Sequence, residues 1–157
     1  MEAVGLQQNS VHLSLLILEA CKGFAASRSN GEQALPLPLV LLVAPVCLHE
    51  RAADAVLRAS SLREWRGEGA GFLAEVPDRY RRLTGASLRA LALLVGTRVI
   101  ERVWTAGGLA FRIVPADAAI SAPEASTGSA AEAARRLGKW CGETVTSDVL
   151  RLAGVLA

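Results

Sequence analysis

The sequence predicts an α+β fold, mostly helical, in which a winged-helix-like core is flanked by N- and C-terminal helices. Three observations carry that prediction. Apolar residues recur at helical spacing over most of the 157 residues. Between residues 99 and 114 the period drops to two on either side of a glycine-rich turn. The composition, 52% hydrophobic and 20% charged, suits a folded chain of single-domain size. A single domain over 1–157 is expected: N-terminal helices over 7–58, the winged-helix-like core over 60–114, a linker over 115–128 and C-terminal helices over 129–157.

The first helix is expected over 7–26. Val11, Leu15, Leu18 and Cys21 fall on one stripe, Leu13, Leu16 and Ile17 widen it, and Asn9 or Ser10 can cap its start. A polar turn follows over 27–33. In the run LPLPLVLLVAPVCLH, Pro36 and Pro38 suit the entry to a helix, whereas Pro45 would kink or break one. A kinked, buried helix running on toward Arg58 is predicted, with a buried strand over 39–43 as the alternative and His49 capping the apolar helix's end.

A short helix near 60–66 carries Leu62 and Trp65 at i, i+3. The stretch GEGAG at 67–71 reads as a loop; it lacks the preceding strand and the Lys-Ser/Thr pair of a phosphate-cradling loop. Next comes a helix over 72–83, starting at Phe72 or after Val76. A turn at Gly85 and a second helix follow, capped by Ser87 and ended by Gly96. Residues 99–105 and 109–114 then pair through Ala106-Gly107-Gly108, with Leu109, Phe111 and Ile113 on one face and Ala110 and Arg112 on the other. The stretch 115–128, rich in Ala, Ser, Pro and Gly, is the linker. Amphipathic helices over 129–141 and 146–155 close the chain, the last ending at Gly154.

Helix, turn, helix and hairpin is the winged-helix order, but the second helix would read bases poorly. Beyond Arg89 it offers Ala90, Leu91, Ala92, Leu93, Leu94 and Val95, whereas base readout needs several polar side chains. Arginines cluster nearby, Arg102 among them. Arg79, Arg81, Arg82, Arg89, Arg98 and Arg112 are the candidates for sequence-independent phosphate contact, their alternative roles being a solvated face or pairing with a partner's acids. Leu137 and Trp140, bordered by Arg135, Arg136 and Lys139, are candidate partner contacts together with Trp65; core packing is the competing role.

No constellation of nucleophile, base and orienting group is present, so no enzyme activity, metal or cofactor is expected. His12 and His49 lie on separate segments without a carboxylate at motif spacing. Cys21, Cys47 and Cys141 are odd in number and widely spaced, which suits buried thiols in a reducing compartment. The N-terminus lacks a basic region before an apolar run, and the longest apolar stretch contains three prolines, so a cytoplasmic location is expected. Net charge is +2 and mean hydropathy +0.33. The apolar excess points either to a partner surface or to a core rich in Leu, Ala and Val.

Three stretches carry a family resemblance: the run Leu35 to His49 followed by Ser61-Leu62-Arg63-Glu64-Trp65; the helix-and-hairpin middle; and Ala134-Arg135-Arg136-Leu137-Gly138-Lys139-Trp140 followed by Leu152-Ala153-Gly154-Val155. In order and spacing the chain resembles the middle component of three-component ABC-type systems, the prokaryotic anti-phage group that includes Lamassu. It departs from that pattern at Glu50, where a basic residue is expected, at Lys139 in place of Arg, and at Cys141 in place of an aromatic. The resemblance implies a non-catalytic accessory subunit that partners an SMC- or Rad50-like ATPase and an effector, in a complex that senses foreign DNA. A winged-helix DNA-binding transcription regulator is the alternative.

Overall fold

A helix without a single charged or hydroxyl side chain lies at the centre of the molecule. The computed structural model describes residues 2–27, 34–68, 70–115 and 128–156. The central helix is α2 (Leu37–Cys47), preceded by α1 (Glu2–Ser27) and by a two-residue strand, β1 (Leu35–Pro36). Eight of the eleven residues of α2 are buried, on every side of it. A helix with no polar face has no stable place except between other elements. Here α1, α6 (Val76–Gly96) and α7 (Ser129–Glu143) surround it.

Pro45 lies in the last turn of α2, two residues before its end. The expected kinked helix reaching Arg58 is instead two helices, because the chain leaves α2 at Leu48 and restarts at α3 (Glu50–Arg58). His49 belongs to the second of them. Its Nδ1 accepts from the Ala52 N–H at 3.3 Å, making it the N-cap of α3 rather than a cap on the end of α2. The alternative strand over 39–43 does not form.

The Ser-Leu-x-x-Trp element is the start of α4 (Leu62–Glu68). Ser61 Oγ accepts from the Glu64 N–H, and the Glu64 carboxylate reaches back to the Ser60 N–H and hydroxyl, a variant of the capping box. The Ser60 hydrogen bonds hold the Glu64 carboxyl below the usual carboxylate range. Leu62 and Trp65 face inward, and Trp65 Nε1 donates to Ala52 O at 3.2 Å. The glycine-rich stretch expected as a loop is largely helical, with α4 running to Glu68 and α5 covering Ala70–Leu73.

The largest departure from expectation is α6. The helix-turn-helix predicted around Gly85 is one uninterrupted helix of 21 residues. Val76, Tyr80, Leu83, Ser87, Ala90, Leu91 and Leu94 fall three or four residues apart and face the core without a break across Gly85. A glycine inside a helix costs about 1 kcal/mol, less than burying such a stripe returns. Ser87 is therefore no cap: it lies mid-helix, fully buried, with its Oγ unpartnered. Gly96 does end the helix, but the left-handed residue of the terminus is Arg98 (φ +60). The Arg98 N–H donates to Val95 O and the Val99 N–H to Leu94 O, the paired bonds of a Schellman motif.

The expected hairpin is present as β2 (Ile100–Thr105) and β3 (Gly108–Ile113), but its turn is Ala106-Gly107 alone, because Gly108 pairs with Thr105. The sheet is antiparallel in the order β1-β3-β2, with Leu35 opposite Phe111. Gly108, at φ +110, supplies the left-handed residue directly after the turn. Of the expected linker, 116–127 lies outside the described residues. The C-terminal helices are α7 and α8 (Thr146–Leu152), the latter closed by a second Schellman motif with Gly154 at φ +79.

Candidate functional site

Between residues 79 and 115 the chain carries seven arginines and one acid, Glu101. The structure divides the predicted arginines into two groups. Arg79 Nε donates to Pro45 O at 3.4 Å, at the C-terminal end of α2. Arg82 pairs with Asp78 at 2.9 Å along α6, and Arg112 pairs with Glu101 across the hairpin. Arg81, Arg89 and Arg98 are exposed and have no ion pair among the described residues, and the same holds for Arg102. Of the six candidates for phosphate contact, three are thus engaged within the fold.

Arg102 stands beside an apolar trough. Period-two alternation puts Ile100, Arg102 and Trp104 on the same side of the hairpin as Leu109, Phe111 and Ile113, because Arg102 is opposite Phe111 and Trp104 opposite Leu109. That side and α6 enclose about 420 Å³, walled mainly by Leu88, Leu91, Val95, Leu109 and Phe111, with Arg102 as the one charged lining residue. Trp104 is 79% exposed, and Leu88 and Leu93 on α6 are also exposed. Sequence reasoning did not single out Trp104. The expected three-residue turn would have put Trp104 opposite Ala110; the observed turn is one residue shorter and brings Trp104 opposite Leu109 instead.

The predicted partner contacts lie elsewhere. Trp65, Leu137 and Trp140 are all buried, in keeping with the core role weighed for Trp140. The large apolar residues exposed among the described ones are few, and three of them are Leu88, Leu93 and Trp104. Most of the apolar excess thus resides in the core.

Glu19, His49 and the three cysteines are tied into the architecture, whereas His12 is exposed on α1. Glu19, in an apolar stretch of α1, is buried; its Oε2 accepts from Nε and the terminal guanidinium nitrogen of Arg135 at 2.8 Å, and its Oε1 pairs with Lys22 at 3.2 Å. Arg136 donates to Leu57 O at 2.7 Å, at the end of α3. His49 uses Nδ1 on Ala52 and faces Glu75 at 2.9 Å through Nε2, which fits the Nε2–H tautomer. The cysteines are free and buried as expected; burial pushes the thiols of Cys21 and Cys141 up to about 12 and raises Cys47 as well. Among the described residues, no group of His, Cys, Asp and Glu is placed to hold a metal ion, and no helix is long and apolar enough to cross a membrane.

Residues 2–156 match the family described as ABC-three component (ABC-3C) system Middle Component 3. Neither the curated proteins nor the solved structures contain a match.

Proposed function

The chain belongs to the Middle Component 3 family of ABC-three component systems, and from that premise we propose that it is a non-catalytic accessory subunit. It bridges an SMC- or Rad50-like ATPase and an effector in a cytoplasmic anti-phage or anti-plasmid defence complex of the Lamassu kind. The observation that carries this reading is the family match, which runs over nearly the whole chain. It is supported by the engagement of Glu19, His49 and the buried thiols in packing, capping and ion pairing, which leaves them structural work rather than chemistry.

Co-production with the two co-encoded components tests it. Co-elution of all three on size exclusion is expected, together with loss of protection against phage when this subunit is omitted. A chain that remains monomeric and binds neither component would refute the proposal. Any DNA contact within the complex falls to Arg81, Arg89 and Arg98 and is indifferent to sequence. Reversing their charge should weaken binding to all duplexes alike and flatten its dependence on salt. A winged-helix regulator is the weaker reading, because α6 contains no turn that would set off a recognition helix.

A further inference from the structure

We propose that the trough between α6 and the hairpin docks an acidic amphipathic helix of another protein component. Its apolar ridge would enter between Leu88, Val95 and Phe111, and a carboxylate would pair with Arg102. This rests on the subunit reading above. Three observations lead to it. The walls are aliphatic and aromatic, and Leu88 in the lining and Trp104, across the hairpin from the lining residue Leu109, are exposed among the described residues.

The charge is complementary to an acid. Arg102 lines the trough with no carboxylate paired to it among the described residues, while Glu101 projects from the opposite face and is taken by Arg112. Of the seven arginines over 79–115, Arg82 and Arg112 are paired with Asp78 and Glu101, whereas Arg81, Arg89, Arg98 and Arg102 are exposed with no ion pair among the described residues, an excess of positive charge that favours an acidic partner.

The dimensions suit a helix. Leu88 to Val95 spans about 10 Å at 1.5 Å per residue, the length of a two-turn apolar ridge. A duplex would supply phosphates but no apolar ridge for this lining. The arrangement, an exposed Trp and an Arg around an apolar depression, contains the residue types that dominate protein binding hot spots.

The experiment uses the full chain and each of the two co-encoded components, with a 20-base-pair duplex as a separate probe. Trp104 is the exposed tryptophan, whereas Trp65 and Trp140 are buried, so acrylamide quenching reports mainly on Trp104. One component should shield it. Leu88→Glu and Arg102→Glu should each weaken that component's binding at least tenfold without lowering the melting temperature; Arg102→Lys should retain most of it, and raised salt should weaken it. A photo-crosslinker at position 88 should mark a segment of the component that contains Asp or Glu. If the wild-type complex forms and both variants assemble equally well, the trough proposal is wrong and the subunit reading stands. If the wild type binds neither component, both fall. Shielding of Trp104 by the duplex or by a second copy of the chain, or a crosslink to a segment without acids, would also overturn the proposal.

Discussion

The contact between α1 and α7 and the surface between α6 and the hairpin differ in how the chain treats its polar and apolar groups. The first is sealed. A Cβ added at Gly23 would sit 1.9 Å from Arg135 O, one at Gly138 2.0 Å from Ala20 O, and one at Gly142 1.7 Å from Ser27 Oγ. At Gly23 and Gly138 the two backbones therefore approach to a distance that only glycine permits, while Gly142 makes room for the Ser27 hydroxyl. Glu19 and Arg135 join the same helices by a charge-assisted pair. The second region is open: Arg81, Arg89, Arg98 and Arg102 have no ion pair among the described residues, and Leu88, Leu93 and Trp104 are exposed. The contrast separates what holds the fold from what is available to a partner.

The sharpest test of that contrast compares two tryptophans. Trp140→Ala should cost roughly 3–5 kcal/mol, as truncation of a buried aromatic does. Trp104→Ala should change stability by less than about 0.5 kcal/mol, as exposed substitutions do. Urea denaturation of the two variants measures both, and similar costs would break the distinction between the regions.

Gly138→Ala comes next. In an isolated helix it would be stabilising by about 1 kcal/mol. Here the new methyl meets the backbone of α1, and a loss of about 3 kcal/mol is expected, at the upper end for overpacking. An increase in melting temperature would show that the two helices can separate cheaply.

The sealed region also sets an alkaline limit. Folded, the Cys21 and Cys141 thiols titrate at about 12 against an ordinary value of 9.0, and Cys47 shifts in the same direction. Above pH 9 the unfolded chain loses these protons first. Their contribution is therefore complete below pH 9 and is lost as pH rises toward 12. The urea midpoint should fall between pH 8 and pH 10, by on the order of 1 kcal/mol per thiol. A flat profile would mean that the thiols are accessible in the folded state.

The smallest effect belongs to the open face. Arg98 occupies a left-handed position that favours glycine, so Arg98→Gly should raise stability by about 1 kcal/mol, read as a shift in the thermal midpoint. A decrease would show that the Arg98 side chain makes a stabilising contact.

The motifs behind the family resemblance acquire physical roles in the fold. Ser61 caps α4, Leu62 and Trp65 enter the core, Gly138 admits α1, and Gly154 closes α8. Such residues are legible in sequence because caps, buried aromatics and left-handed glycines follow local rules. They identify a fold and a family, while the partner surface is built from other residues. Glu19 was missed for the opposite reason: its ion-pair partner lies 116 positions away, on α7.

By itself the sequence determined the helical majority, the hairpin but not its register, the buried thiols and the family. These rest on periodicity, turn chemistry and motif spacing, which act over a few residues. The tertiary structure decided that α6 passes straight through Gly85, because the core-facing stripe outweighs the local cost of a glycine. It also decided which arginines remain unpaired and which tryptophan stays outside. Those outcomes depend on how distant elements cover one another, and local spacing does not encode that.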